Sequence, residues 1–180
     1  MSVVSVQQQM QELSLLGMSQ VFETDLTMAN KQDWSHEEFL SKLLQAEKSY
    51  RDDRFIEKKI KCAQFKRNAF LEEFDMTVKR GVTKAILQEL MSLRWLENSK
   101  PVVFVGQTGM GKSYLAEALG RYVCSHRKTV FFKESTELFL MINEGRRLNR
   151  YLTTRKRLAS YDVLIIDDFG MRKLNSTEAQ

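Results

Sequence analysis

The strongest constraint on this chain lies between Pro101 and Val123. Four apolar residues, Val102, Val103, Phe104 and Val105, lead into Gly-Gln-Thr-Gly-Met-Gly-Lys-Ser at 106–113, and Leu115, Ala116, Leu119, Tyr122 and Val123 follow at helical spacing. The first run has the character of a buried parallel strand and the last predicts a helix, so an α/β fold is expected here. The turn between them matches G-x-x-x-x-G-K-[ST] in full. Gly106, Gly109 and Gly111 let the backbone bend so that successive N–H groups point inward at phosphate oxygens. The positive end of the following helix faces the same anion. Lys112 is expected to set a point charge on the β- and γ-phosphates, and the Ser113 hydroxyl to ligate magnesium. The expected nucleotide-binding stretch is Gly106, Gln107, Thr108, Gly109, Met110, Gly111, Lys112, Ser113 and Tyr114. The competing reading is a glycine turn that happens to contain Lys-Ser.

A second element complements the first. Asp162 to Asp168 reads DVLIIDD, a short apolar strand that ends in two carboxylates. Carboxylates at the tip of a buried strand need something to satisfy their charge. A hydrated magnesium ion beside the phosphates would do so, with Asp167 as its outer-sphere ligand. Asp168 is then placed to orient or deprotonate an attacking water. The alternative for Asp168 is a solvated or helix-capping acid.

The remainder divides at Pro101, the only proline. Before it the pattern is helical. Met10, Leu13 and Leu16 share a helical spacing, with Gly17 as a natural stop. Ser35 and Glu38 form a capping box before a helix expected to run to about Phe65. Another helix is expected around Val82 to Glu97. Residues 1–70 are therefore expected to form a helical module, 71–98 a helical lead-in and 99–180 the nucleotide-binding domain. Within the last, strands are expected at 129–132 and 163–166 and a helix at about 136–144.

Composition narrows the function classes. With 180 residues, 43% hydrophobic and 28% charged, the chain is ordinary for a globular protein. No stretch approaches a transmembrane span and the N-terminus lacks a secretory signal, so a cytoplasmic protein is expected. Cys62 and Cys124 are isolated, and His36 and His126 lack metal-ligand spacing, which argues against a disulfide framework or zinc site. The net charge of +5 arises entirely after residue 100, because residues 1–100 carry 15 basic and 15 acidic side chains. Arg146, Arg147, Arg150, Arg155, Lys156 and Arg157 form a basic cluster without an acid. If it is one helix, Arg146, Arg150 and Arg157 fall along one side and could contact DNA phosphates; the alternative is a solvated face. A second cluster, Lys58, Lys59, Lys61, Lys66 and Arg67, is interleaved with Phe55, Ile60 and Phe65. These apolar residues fit a core at helical spacing better than a base-stacking platform.

On LQAEKSYRDDRFIEKKIKCAQFKRNAFLEEFDM at 44–76, GQTGMGKSYLAEALG at 106–120 and YDVLIIDDFGMRKL at 161–174, the chain resembles the IstB-like, helicase-loader-like ATPases of the AAA+ class. EEFD at 72–75 brings it nearer to the helper ATPases of IS21-type transposons than to loaders of the replicative helicase. The resemblance implies an ATP- and magnesium-dependent assembly on duplex DNA that recruits or activates a transposase, or regulates a helicase, and that self-assembles when full length. That branch commonly carries Asp at the position of Asp168, where other AAA+ proteins carry Glu, and the shorter side chain suits slow hydrolysis. The resemblance also implies a sheet ordered 5-1-4-3-2, of which three strands are found in this sequence. A domain truncated after the third strand, lacking sensor, arginine finger and lid, is the expectation; completion by a second polypeptide or direct closure of the gap are the alternatives. A small-molecule kinase and a nucleotide-binding remnant without turnover are the competing functions.

Overall fold

A computed structural model describes residues 3–78 and 81–170. The chain forms two compact units, Met1–Glu57 and Lys58–Gln180. The division falls inside a helix, upstream of residue 70, where the helical module was expected to end. Ala63, Ala69 and Leu71 explain the difference: all three are buried in the cores of the second unit.

The first unit holds α1 (Val3–Glu12), α2 (Leu16–Gln32) and the greater part of α3 (His36–Ala63). Met18, Phe22 and Leu43 form its core. Gly17 is not a stop. The break lies at Ser14, which adopts a left-handed φ of 58°. Gly17 instead sits in the first turn of α2, where a Cβ would stand 2.6 Å from Tyr50 Cβ and 2.7 Å from the backbone of Ala46 and Glu47. Only a residue without a side chain lets α2 approach α3 this closely. Glu47 uses that approach to cap α2, its Oε2 accepting from the backbone N–H groups of Gly17 at 2.8 Å and Met18 at 3.2 Å. Burial alone would raise the Glu47 carboxyl, but Arg51 and these two amides hold it below the usual carboxylate range. The capping box forms as expected: Glu38 Oε2 accepts from Ser35 N at 2.8 Å and Ser35 Oγ from Glu38 N at 3.2 Å. Helix α3 stops at Ala63, short of Phe65, because Gln64 turns left-handed with φ 63°.

In the second unit the helix expected over 82–97 is two helices, α4 (Lys84–Met91) and α5 (Arg94–Glu97). Leu93 adopts φ 56° between them and thereby enters the core, while the Trp95 indole donates to the Leu90 carbonyl at 2.9 Å. After the glycine-rich turn come α6 (Lys112–Ser125), β1 (Val130–Glu134), α7 (Ser135–Arg147), α8 (Tyr151–Ala159) and β2 (Val163–Asp167). Strands β1 and β2 are parallel neighbours, with Val130 opposite Val163 and Glu134 opposite Asp167. Adjacent second and third strands agree with the sheet order that the resemblance implies.

Residues 102–105 depart from expectation. They form no ladder among the described residues, although their burial alternates as in a strand. Val102 and Phe104 pack on the core around Leu115, whereas Val103 is 76% and Val105 90% exposed. A strand is defined by hydrogen bonds to a neighbour, and β2 pairs with β1 rather than with this segment.

Helix α6 is the hub of the unit. Leu115, Ala118, Leu119 and Val123 are buried along it. At Gly120 a Cβ would meet Ile165 of β2 at 2.7 Å and the Phe65 ring at 2.8 Å, so the missing side chain lets the sheet and the 64–74 segment both close on the helix. No described helix is long and apolar enough to cross a membrane.

Candidate nucleotide site

The turn before α6 has the local geometry that its glycines predict at two positions of three. Gly109 and Gly111 have φ of 82° and 81°, in the left-handed region that an L side chain rarely adopts. Gly106 has no such φ; a Cβ there would come no closer than 4.0 Å, to Lys112 Cδ, so its role is not backbone strain. Gly111 is the N-cap of α6, and its carbonyl accepts the first helical bond from Leu115 N at 2.9 Å. The N–H groups of Lys112, Ser113 and Tyr114 therefore begin the helix without intrahelical partners, as the first turn of any helix must. Aligned with the positive end of the helix, they can receive an anion.

The side chains at the corner find partners within the protein. Lys112 Nζ donates to the Gln107 carbonyl at 2.9 Å. Ser113 Oγ donates to Asp167 Oδ1 at 2.9 Å. Two residues 54 positions apart in sequence, one on α6 and one on the tip of β2, thus share one corner beside the loop. A hydroxyl and a carboxylate are hard oxygen donors of the kind that magnesium takes alongside phosphate and water. The donor set therefore fits the ion.

Asp168 follows directly, with an exposed side chain and a left-handed φ of 51°. Its carbonyl accepts from the Ser135 hydroxyl at 2.9 Å, which ties the turn after β2 to the start of α7. Ser135 is itself buried, and the sequence offered no motif to single it out.

Tyr114 takes a different direction. Its hydroxyl donates to the Phe70 carbonyl at 3.2 Å, accepts from Phe70 N at 3.3 Å and lies 3.3 Å from Glu73 Oε2, while its ring stacks with Phe74. The side chain anchors the lead-in to α6, and only the backbone of Tyr114 faces the anion-binding end.

Glu117 is the residue that pattern reading missed. Fully buried on α6 one turn after Ser113, it accepts at Oε2 from the N–H groups of Lys66 at 2.7 Å and Arg67 at 2.9 Å. Its Oε1 makes no hydrogen bond but lies 3.1 Å from Arg67 Nε, so the charge is paired even though the angle is not that of a hydrogen bond. Its position among Leu115, Ala118 and Leu119 was the available signal, since a carboxylate on an apolar face needs partners. Lys66 in turn pairs through its ammonium with Glu134 at the end of β1. The Glu134 hydrogen bond raises the Lys66 pKa against a small cost of burial, with Glu137 and Asp167 adding to the negative field.

The basic cluster at 146–157 is not one helix. Helix α7 ends at Arg147, Asn149 turns left-handed with φ 54° and α8 begins at Tyr151. Arg146, Arg150 and Arg157 therefore do not share the face that a continuous helix would give them. Arg146 lies over the Tyr151 ring at 5.2 Å and Arg157 over Phe131 at 5.6 Å, so both pack locally. Arg147, Arg150, Arg155, Lys156 and, despite its ring contact, Arg157 are exposed. In the other cluster Ile60 and Phe65 pack on the core, and Lys66 and Arg67 are paired.

Comparison with known proteins agrees with this architecture. Residues 8–180 match the family described as IstB-like ATP binding protein. Among similar proteins, one from Pseudomonas aeruginosa, named as an ATP-binding protein of insertion sequence IS21, is 32% identical over 87% of this chain and 59% of its own length. Another, from Pseudomonas fluorescens and named for insertion sequence IS1162, is 30% identical over 92% of this chain and 72% of its own. The insertion sequence ATP-binding protein y4pL of Sinorhizobium fredii is 30% identical over 91% and 66%. The chain thus spans about two thirds of the length of these relatives. With the glycine loop, the acidic strand tip and a match over nearly its whole length, the chain belongs to the IstB-like ATP binding protein family.

Proposed function

We propose that this chain binds ATP with magnesium at residues 106–114 and serves as the ATP-binding helper of an insertion sequence, acting on duplex DNA together with a transposase. The observation that carries the nucleotide reading is the 2.9 Å bond between Ser113 and Asp167, which brings the two magnesium-binding groups into one corner. Lys112, held by the Gln107 carbonyl in the loop, exchanges that partner for the β/γ-phosphates. The N–H groups at the start of α6 hold the phosphate oxygens. Magnesium, when bound, neutralises phosphate charge and polarises the γ-phosphoryl group. Ser113 and Asp167 would hold the ion, and Asp168 would orient the attacking water.

The wider role rests on the relatives' names, which tie them to insertion sequences and ATP. Five exposed basic residues, Arg147, Arg150, Arg155, Lys156 and Arg157, supply the surface for DNA phosphates, with Arg146 at its margin. Self-assembly along DNA and engagement of the transposase would be properties of the full-length protein. The decisive experiment titrates a fluorescent ATP analogue into the chain with magnesium, then follows phosphate release with and without duplex DNA. Saturable binding that Lys112→Ala strongly weakens, with release stimulated by DNA, is the expected result. No binding by the wild-type chain would overturn the nucleotide reading, and release that needs a small-molecule acceptor would point to a kinase.

A further inference from the structure

The corner formed by Ser113 and Asp167 is closed by a second line of contacts. Ser113 and Glu117 stand one turn apart on α6, hence on the same face of the helix. Ser113 reaches Asp167 on β2. Glu117, fully buried, fixes the backbone N–H groups of Lys66 and Arg67. The Lys66 ammonium then pairs with Glu134 on β1. Glu134 is the ladder partner of Asp167, so the two carboxylates leave neighbouring strands at the same level and on the same face. The circuit returns to the place where it began, with one cation set beside two anions.

We propose that Lys66 is the resident counter-cation of this corner, a positioning residue whose charge sets how strongly the site depends on magnesium. The inference rests on the nucleotide reading above. Two carboxylates one strand spacing apart repel each other, and a dication relieves that repulsion. A lysine paired with one of them, on a clamped backbone, does part of the same work. Removing its charge leaves a more negative corner, which attracts the dication more and repels the bare nucleotide more. Removing the Glu134 charge instead releases Lys66 from its partner and has the opposite effect on both. Neither result follows from a purely structural ion pair, whose loss would weaken binding equally with and without the metal.

The test measures affinity for a fluorescent ATP analogue in EDTA and across a magnesium titration, for the wild-type chain, Lys66→Met, Lys66→Arg and Glu134→Gln. For Lys66→Met the half-saturating magnesium concentration should fall about two- to fivefold, and affinity in EDTA should weaken by a similar factor, the range of partly exposed charge couplings. Glu134→Gln should shift both quantities the other way, and Lys66→Arg should resemble the wild type. Equal shifts with and without magnesium, unchanged magnesium dependence, or loss of folding by circular dichroism in both Lys66→Met and the isosteric Glu134→Gln would overturn the proposal, while binding by the wild-type chain would still uphold the nucleotide reading. Absence of nucleotide binding by the wild-type chain would remove both readings together.

Discussion

Lys112 and Ser113 each have a protein partner in the structure, so the nucleotide binding proposed at these residues would be an exchange of hydrogen bonds. What the phosphate adds is charge. Lys112→Ala should therefore weaken ATP affinity by about 2 to 3 kcal/mol, roughly 30- to 150-fold, as measured by titration of the labelled analogue. Asp168→Asn is expected to keep wild-type affinity and to abolish phosphate release, because the amide cannot take a proton from water; retained turnover would remove Asp168 from that role. The loop motif and the acidic strand tip were legible because their chemistry is tied to fixed spacing and fixed residue types. Tyr114 was assigned to the nucleotide by adjacency alone, and its phenol belongs to the lead-in. Glu117 escaped notice because helical periodicity scores a carboxylate as solvent-facing, whereas here the 64–74 segment covers that face.

Among elements, glycine decides how closely helices approach. Gly17→Ala would place a Cβ against the backbone of α3 with no flexible side chain to give way, and should destabilise the first unit by about 1 to 3 kcal/mol in thermal unfolding. An unchanged midpoint would show that α2 can shift without loss. Glu47, capping the same turn, makes that contact sensitive to acid. Its folded-state pKa lies below its unfolded value. Its contribution is therefore complete above the ordinary carboxylate range and is lost as pH falls through the lowered value. Glu47→Gln should flatten that part of the acid-unfolding curve followed by circular dichroism. The capping box at Ser35 was readable because it is local. Gly17, by contrast, looked like a helix end because nothing nearby in sequence reveals that Tyr50 lies against it. The split of the helix expected over 82–97 has the same origin: Leu93 leaves helical geometry to reach a core assembled from distant residues.

For the molecule as a whole, the α/β character of the second half and the helical character of the first could be read from period and punctuation. The position of the division between units could not. It depends on Ala63, Ala69 and Leu71, whose burial is set by neighbours far along the chain. Charge offers the test of DNA engagement. Neutralising Arg147, Arg150 and Arg155 together should weaken duplex binding and reduce the slope of log affinity against log salt by about three, one for each phosphate that no longer meets a cation. An unchanged slope would show that DNA, if bound, lies elsewhere. The segment 102–105 carries a final consequence. It enters the glycine loop directly, has its inner side chains seated and leaves its backbone without a ladder among the described residues. If the loop holds ATP as proposed, whatever supplies hydrogen bonds to that backbone should stiffen the entrance to the loop and so favour the nucleotide. By reciprocity, ATP would favour that pairing by the same free energy, so the occupancy of one would report on the other.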